Sequence, residues 1–139
     1  KGVVAVAFAK WAAMRFGVGD IAVALAALAV FLGHCWPIFH GFKGGKGVAT
    51  AGGIFLGLSP ALGGLAAAVW LATAAISRMS SLAAIVAAAA APMLAAWWLG
   101  TGPIIWSLVS ISIVLIARHR ANIGKIMTGT ENKIGQGKK

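Results

Sequence analysis

The sequence predicts an all-α, polytopic membrane protein with about six transmembrane helices in this chain. Of its 139 residues, 60% are hydrophobic and only 10% are charged, whereas roughly a quarter of the residues are charged in a soluble domain. A soluble fold of this length cannot bury so much apolar surface. The apolar residues also form runs that approach the roughly 20 residues a spanning helix needs. Residues 1–139 are therefore predicted to form a single integral-membrane domain.

Six apolar runs define the predicted helices. They cover residues 2–18, 21–32, 48–58, 61–76, 82–99 and 104–117. Lys10 and Arg15 interrupt the first run, and the third run is short for a span. The alanine-rich tract 83–91 and the Gly53/Gly57 pair place small residues on helix surfaces, which predicts close helix packing.

Most of the positive charge lies between the apolar runs or after the last one. The formal net charge is +10, from 12 Lys and Arg against two acidic residues. Such a balance can indicate nucleic-acid binding, but basic clusters between apolar runs are typical of cytoplasmic loops in membrane proteins. The loop at 33–50, Arg78 and the tail at 118–139 are therefore predicted to face the cytoplasm. The shortage of carboxylates fits anionic ligands, and no nucleic-acid partner is predicted.

The Gly/Lys-rich loop at residues 33–50 has the features of a phosphate-binding loop. Three glycines free its backbone to turn N–H groups toward one point and let a ligand approach closely; they are Gly44, Gly45 and Gly47. Lys43 and Lys46 add charge, and Thr50 lies near the start of a helix, whose N-terminus favours an anion. The order of a Walker loop is not kept, since Gly47 follows Lys46. A flexible basic loop is the alternative, and the residues alone do not decide between the two.

The tail carries a second candidate site. His119 and Asn122 are three residues apart, so they share a face if the last helix continues through them. Histidine is the usual general base near neutral pH, and asparagine can orient it or a substrate hydroxyl. A basic juxtamembrane segment is the alternative. For Glu131, one of the two acidic residues, a structural salt bridge with a nearby Lys or Arg is favoured.

No metal or cofactor is predicted. His34, Cys35 and His40 lie close in sequence, but their spacing matches no standard zinc pattern and a fourth ligand is lacking. A single cysteine excludes an internal disulfide. Asp20 is predicted on the far side of the membrane, so no Ser-His-Asp set is visible.

Two motifs resemble those of a known family. The run Phe42-Lys43-Gly44-Gly45-Lys46-Gly47-Val48-Ala49-Thr50, preceded by Gly33-His34, resembles the second motif of the bacterial acyl-phosphate-dependent glycerol-3-phosphate acyltransferases, the PlsY family. His119-Arg120-x-Asn122, followed by Gly129-Thr130-Glu131, resembles the third motif of that family. Lys1-Gly2 and the helix after them are similar to its second transmembrane helix, so the resemblance covers the whole chain.

The resemblance implies a reaction and a location. Members of the family transfer a fatty acyl group from acyl phosphate to the 1-hydroxyl of glycerol 3-phosphate. They thereby make lysophosphatidic acid and phosphate, the first step of phospholipid synthesis, without CoA as direct donor. They lie in the bacterial inner membrane with seven spans and an active site that faces the cytoplasm. The family's first span and first motif would precede Lys1, so the fragment alone is expected to be inactive.

The resemblance also implies roles for individual residues. Lys46 would bind substrate phosphate, and Gly44, Gly45 and Gly47 would shape the loop. Three more residues would complete the substrate-binding set, namely Lys43, Thr50 and His34. His119 and Asn122 would position glycerol 3-phosphate, with His119 also a candidate base, and Glu131 would hold the tail in place.

Two other functions were weighed against the enzyme. A membrane transporter for an organic phosphate anion would use the same basic loop, but should show inverted repeats or broken helices at mid-membrane. A structural lipid-binding subunit would use the basic tail to hold anionic headgroups. Neither repeats nor broken helices are visible in the sequence, and the lipid-binding hypothesis leaves His119, Asn122 and the three glycines without a role.

Overall fold

Seven α-helices make up the structure, a computed structural model that describes residues 1–136 apart from the side chain of His40. They are α1 (Gly2–Phe16), α2 (Gly19–Cys35), α3 (Val48–Leu58), α4 (Pro60–Ser77), α5 (Ser80–Leu99), α6 (Pro103–Arg118) and α7 (Arg120–Met127). A short 3₁₀ turn, Ile38–His40, lies between α2 and α3. The all-α prediction is confirmed, and the six predicted runs match α1 to α6 closely.

Local sequence signals explain where these helices end and begin. Gly17 adopts the left-handed conformation at φ 69° and ends α1, as glycine does at many helix C-termini. The Ser59 hydroxyl accepts a long hydrogen bond of 3.5 Å from the Leu62 N–H at the start of α4. Pro60 and Pro103 occupy first-turn positions of α4 and α6, where proline lacks only an N–H that would be unpaired anyway.

The six long helices pack in a closed ring. Going around it, the order of neighbours is α1, α2, α6, α5, α4, α3 and back to α1. Large buried side chains fill the interior, among them Phe31, Ile54, Leu62, Leu108 and Ile111. Every long helix therefore has two packed neighbours, and α1 is held by α3 although α2 separates them in sequence.

Small residues set the closest helix approaches, as their spacing predicts. A Cβ added at Gly53 would lie 3.2 Å from the Val3 nitrogen, and one at Gly57 would lie 3.0 Å from the Val6 Cβ. These two glycines therefore bring α3 against α1. On α5 the buried face is made of alanines, namely Ala83, Ala84, Ala87, Ala88, Ala91 and Ala95.

Fewer helices reach spanning length than the six predicted. Within residues 1–136, α4 and α5 are long and apolar enough to cross a bilayer, and α6 with α7 would make a third span if that bent pair is counted as one. The other helices have fewer than 18 residues. The shortest of the six ring helices, α3, has 11 residues. It therefore rises only about 16 Å, which is half of the ~30 Å hydrocarbon core.

Lys10, which interrupts the first apolar run, has a structural partner. Its Nζ donates a hydrogen bond of 3.0 Å to the Leu58 carbonyl, at the C-terminus of α3. A cation favours that end of a helix because of the unpaired carbonyls and the helix dipole. The charge in α1 thus stabilises the end of the short helix α3.

The predicted polar tail contains α7 and then folds back onto the α4–α5 turn. The Ile134 N–H donates to the Arg78 carbonyl at 2.6 Å, and Arg78 Nη2 donates to the Ile134 carbonyl at 3.0 Å. Residues 137–139 of that predicted tail lie outside the described part.

Candidate functional site

Four segments meet at one end of the helix ring, called here the basic end. They are the Gly/Lys loop (41–47), the α4–α5 turn (78–81), the α6–α7 junction (118–122) and the tail (130–135). Side-chain hydrogen bonds join the loop to the junction, the junction to the tail, and the tail to the turn. The three segments predicted to be basic and to share one side therefore do come together.

The glycines of the loop are held tightly against the end of α2. A Cβ on Gly44 would collide with the carbonyl oxygens of His34 and Cys35, and one on Gly45 would lie 2.7 Å from His34 Nε2. Gly47 has φ 85°, and a Cβ there would collide with the Phe31 ring. Besides their predicted role in ligand approach, these glycines each have a steric reason, since the loop is packed onto a helix end.

Helix α3 starts directly after this loop and has an open N-terminus. Its N-cap is Gly47, which offers no side-chain acceptor, so the N–H groups of the first turn lack intrahelical partners. Such a terminus favours an anion. Thr50 is buried in this first turn, and its carbonyl lies against Gly2 of α1.

A chain of polar side chains connects the loop to the rest of the basic end. Lys46 Nζ donates to Asn122 Oδ1 at 2.5 Å, and Asn122 Nδ2 donates to Glu131 Oε1 at 2.8 Å. The same Glu131 oxygen accepts a 2.5 Å hydrogen bond from the Ser81 hydroxyl. Among residues 1–136, Glu131 is thus bound by neutral groups and not by the salt bridge that the sequence favoured, and it fixes the orientation of the Asn122 amide. Ser81 was missed in the sequence because nothing near it suggested a partner 50 residues away.

These contacts also keep Glu131 ionised. Partial burial opposes the charged form, but the hydrogen bonds from Ser81 and Asn122 and the positive charges of Lys125 and Lys46 outweigh it, so the pKa of Glu131 lies below its ordinary value. The carboxylate therefore accepts from both donors throughout the neutral range.

His119 lies where α6 and α7 meet, and the last helix does not continue through it. The two helices are bent by 58° at this residue, so the condition for a shared face of His119 and Asn122, a last helix that continues through both, is not met. The His119 ring is 2% exposed, and its Nδ1 lies 2.8 Å from the Leu115 carbonyl. Because a carbonyl only accepts, Nδ1 carries the hydrogen, and the lone pair of the neutral ring is on Nε2.

Arg118 is the second residue of the basic end that the sequence analysis missed. Its Nη2 donates to the carbonyls of Gly44 at 2.8 Å and Gly45 at 3.1 Å. Its guanidinium also lies over the Trp36 ring, 5.2 Å from the centroid. The available signal is a basic residue directly before His119 at the end of an apolar helix, but in the sequence it indicates only positive charge.

An apolar cavity of about 340 Å³ lies between α3, α4 and α5, and Leu115 of α6 also lines it. It begins at Val48, the first residue after the Gly/Lys loop, and its walls include Gly52, Ala67 and Trp70. This volume lies in the range of small-molecule pockets. The basic end and an apolar cavity are therefore adjacent.

The remaining predicted site residues are placed around this cluster. The His34 ring packs against Gly45, and Lys43 is exposed in the loop. Across residues 1–136, neither Lys43 nor Thr50 makes a side-chain hydrogen bond to the Lys46–Asn122–Glu131 chain. Among the described side chains, which leave out His40, no group of three His, Cys, Asp or Glu residues has the geometry to hold a metal ion.

Comparison with known proteins identifies the family of this arrangement. The family model of glycerol-3-phosphate acyltransferase matches residues 1–129. A glycerol-3-phosphate acyltransferase of Burkholderia pseudomallei is 52% identical over 134 residues, which are 94% of this chain and 66% of that protein. One from Chromobacterium violaceum is 51% identical over 136 residues, 97% of this chain and 66% of its own length. The chain thus spans slightly less than two thirds of these relatives.

Solved structures agree with the sequence matches. A crystal structure of PlsY, an integral membrane glycerol 3-phosphate acyltransferase, in its glycerol 3-phosphate form has a TM-score of 0.88 and 34% identity over 96% of this chain and 66% of that one. The lysophosphatidic acid form of PlsY also has a TM-score of 0.88, over 67% of its chain. Because the family model matches nearly the whole chain and the solved structures share its fold, this integral membrane chain belongs to the glycerol-3-phosphate acyltransferase family.

Proposed function

We propose that the protein transfers a fatty acyl group from acyl phosphate to the 1-hydroxyl of glycerol 3-phosphate, giving lysophosphatidic acid and inorganic phosphate. The observation that carries this proposal is the contact of Lys46 with Asn122. It joins the Gly/Lys loop to the α6–α7 junction, beside a cavity that suits an acyl chain. Membership of the family and the glycerol 3-phosphate and lysophosphatidic acid forms of the solved relative support the same pair of substrates.

The phosphate-binding half of the proposed site is the loop together with the start of α3. Lys46 and Lys43 supply positive charge, and the open N-terminus of α3 supplies N–H donors. Gly44, Gly45 and Gly47 keep this backbone close to α2, so that a phosphate can approach it without side chains in the way. The His34 ring packs against Gly45 of the loop. Thr50 lies in the first turn of α3, whose N–H groups face the proposed phosphate.

The acyl half of the proposed site is the apolar cavity. Its walls are almost entirely carbon, from small and large apolar residues of α3, α4 and α5 and from Leu115 of α6. An acyl chain lying there would have its carbonyl end near Val48 and therefore near the loop. The cavity would thus bring the activated carbonyl to the phosphate-binding residues.

Asn122 and His119 would act on the hydroxyl. The hydroxyl oxygen attacks the acyl carbonyl carbon, the bond from that carbon to the phosphate oxygen breaks, and the hydroxyl proton leaves. His119 Nε2 holds a lone pair that can take this proton; the departing phosphate is the other acceptor present. Asn122, oriented by Glu131, would hold the substrate in line. Acyl phosphate is already activated, so positioning and charge stabilisation supply most of the rate.

We also propose that the basic end faces the cytoplasm of a bacterial inner membrane. Lys43, Lys46 and Arg78 lie at this end together with Arg118 and the basic tail, and positive segments are retained on the cytoplasmic side. Both proposed substrates are anions, glycerol 3-phosphate soluble and acyl phosphate membrane-bound, and both would reach such a site from the cytoplasmic side.

The proposal is tested with the full-length protein in lipid nanodiscs, supplied with palmitoyl phosphate and glycerol 3-phosphate. We expect lysophosphatidic acid and phosphate to appear in equal amounts. A folded protein that forms neither product would overturn the proposal, and glycerol 3-phosphate uptake by sealed vesicles without chemistry would favour a transporter.

The role of Lys46 is tested in the same assay with Lys46→Ala. Loss of one charge-assisted contact to phosphate, worth about 1.5–3 kcal/mol, corresponds to a rise in the KM for glycerol 3-phosphate of about ten- to a hundred-fold. Lys133→Ala in the exposed tail is the matched control. A KM unchanged by Lys46→Ala would remove this residue from the phosphate site.

A further inference from the structure

Arg118 connects the two sequence motifs in a way that neither motif predicts. It is the last residue of α6, yet its guanidinium binds the Gly/Lys loop 74 residues earlier in the chain. A single nitrogen, Nη2, donates to the carbonyls of Gly44 and Gly45. Two successive peptide groups of the loop are therefore held by one side chain.

Holding these carbonyls fixes the direction of the loop's N–H groups. In a trans peptide the C=O and the following N–H point in opposite directions. With the Gly44 and Gly45 carbonyls turned toward Arg118, the N–H groups of Gly45 and Lys46 are turned away from it. Glycine peptides rotate with little steric restriction, so without this contact the two N–H groups would sample many directions.

The guanidinium is itself held in place. It lies over the Trp36 ring, with Cζ 5.2 Å from the centroid, which is within the range of a cation–π contact. Trp36 directly follows α2, where its N–H donates to the Leu32 carbonyl at 2.8 Å. Arg118 is thus fixed between a helix end and the loop that packs on it.

From this geometry we infer that Arg118 is a positioning residue of the proposed reaction, which orients the N–H groups of Gly45 and Lys46 toward the substrate phosphate. It also joins the phosphate loop to the chain position directly before His119. This inference rests on the proposed function, because the phosphate is taken to be that of glycerol 3-phosphate or acyl phosphate.

A lysine could not take over this task. Its ammonium is a compact charge that has no planar face to lie over Trp36. Arginine both stacks on the ring and donates to the loop. Arg118→Lys is therefore expected to keep the charge but lose most of the loop orientation.

The test compares Arg118→Ala, Arg118→Lys and the control Arg120→Ala in the full-length protein, with KM and kcat measured for both substrates. Arg120 is exposed at the start of α7, and in residues 1–136 its side chain makes no hydrogen bond. We expect both Arg118 variants to raise the KM for a phosphate-bearing substrate about ten-fold or more, with a smaller change in kcat. Arg120→Ala should leave both constants within two-fold of the wild type, about the scatter expected of a surface change.

Chemical rescue and a second residue separate positioning from general stability. Methylguanidinium added to Arg118→Ala should restore part of the lost affinity, whereas methylammonium should not. Trp36→Leu should raise the same KM by a smaller factor, and combining it with Arg118→Ala should add little, because the two residues act through one contact.

The outcomes distinguish failure of the proposed function from failure of the positioning role of Arg118. A wild-type protein that makes no lysophosphatidic acid overturns the proposed function. An active wild type whose Arg118→Ala form keeps its KM, or loses kcat alone, overturns only the positioning role. If Arg118→Ala does not fold, Arg118→Lys and Trp36→Leu carry the test, and unchanged KM values in both overturn the inference.

Discussion

Gly44 shows, at the scale of one residue, how packing can require a glycine. Its backbone conformation does not demand glycine, because its φ lies outside the left-handed region. The requirement comes from its contacts, since a Cβ would meet two carbonyl oxygens at the end of α2. Carbonyls in a helix end cannot move aside as a flexible side chain can. At Gly45 the obstacle is the tip of the His34 ring, which can rotate.

Gly44→Ala should therefore be more damaging than Gly45→Ala. We expect Gly44→Ala to lower the melting temperature by several degrees through overpacking of about 1–3 kcal/mol and to raise the KM for glycerol 3-phosphate. Gly64→Ala on α4 is the control, because a Cβ there meets nothing within 4 Å and alanine favours a helix. Thermal unfolding in detergent and steady-state kinetics measure both effects. Equal melting temperatures for the Gly44 and Gly64 variants would contradict the packing argument.

Glu131 makes the stability of the protein depend on pH. Because its folded pKa is lowered, the carboxylate contributes stability that is fully present above the pKa of an unfolded glutamate, about 4.3. That contribution is lost as the pH falls through the lower, folded pKa. Glu131→Gln keeps an oxygen that can accept from Ser81 and Asn122 but cannot ionise.

The gap in melting temperature between the wild type and Glu131→Gln should accordingly be largest near pH 7 and should shrink below pH 4.3. Asp20→Asn, which changes the exposed acidic residue at the start of α2, is the control. A gap of the same size at pH 7 and at pH 3.5 would contradict this account of Glu131.

At the scale of elements, the helices could be predicted far better than the break between α6 and α7. Apolar runs marked α1 to α6, because hydrophobicity changes sharply at their ends. The bend at His119 carries no such signal, since neither glycine nor proline is present in the run 118–122. The ring bonds the carbonyl of Leu115, four residues back. Asn122 was predicted as a site residue, but its partner Lys46 comes from a distant segment and could not be read from spacing.

His119 is buried at this break, and its role in proton transfer can be tested with variants. We expect His119→Ala to lower kcat by about 10²–10⁴ if the ring takes the proton, with a smaller change in KM. His119→Gln, which can still bond the Leu115 carbonyl but is a poor base, should lose similar activity. Circular dichroism and melting temperature establish that both variants fold. A folded Gln variant with wild-type kcat would assign the proton to the departing phosphate instead.

At the scale of the whole molecule, the closed helix ring and its cavity were beyond the reach of the sequence. The alanines of α5 predicted close packing, but not that the gap they leave faces α3 and α4. Six apolar runs predict six crossings, whereas within residues 1–136 helix length supports two or three. Apolar composition indicates that a segment is buried in protein or lipid, and it does not say how deep a short helix such as α3 reaches.

The cavity can be tested by filling it. Ala67 is on its wall, and Ala68, the next residue on α4, is not; both are exposed in the described chain. We expect Ala67→Phe to raise the KM for long-chain acyl phosphate several-fold, because the ring occupies space that the acyl chain needs, with less effect on short-chain donors. Ala68→Phe should leave the kinetics unchanged. Identical profiles for the two variants would exclude this cavity as the acyl site.

The contact between Lys46 and Asn122 also has a consequence in time. During synthesis the Gly/Lys loop leaves the ribosome long before residues 118–134, because α3 to α6 lie between them in the chain. Until those residues are made, Lys46 cannot bind the Asn122 amide, and the Gly44 carbonyl cannot accept from Arg118. Arg78 likewise lacks its hydrogen bonds with Ile134. A nascent chain interrupted after α5 would display a basic loop without the groups that orient it. The proposed phosphate-binding geometry is therefore complete only after residues 118–134 have docked onto the Gly/Lys loop and the α4–α5 turn.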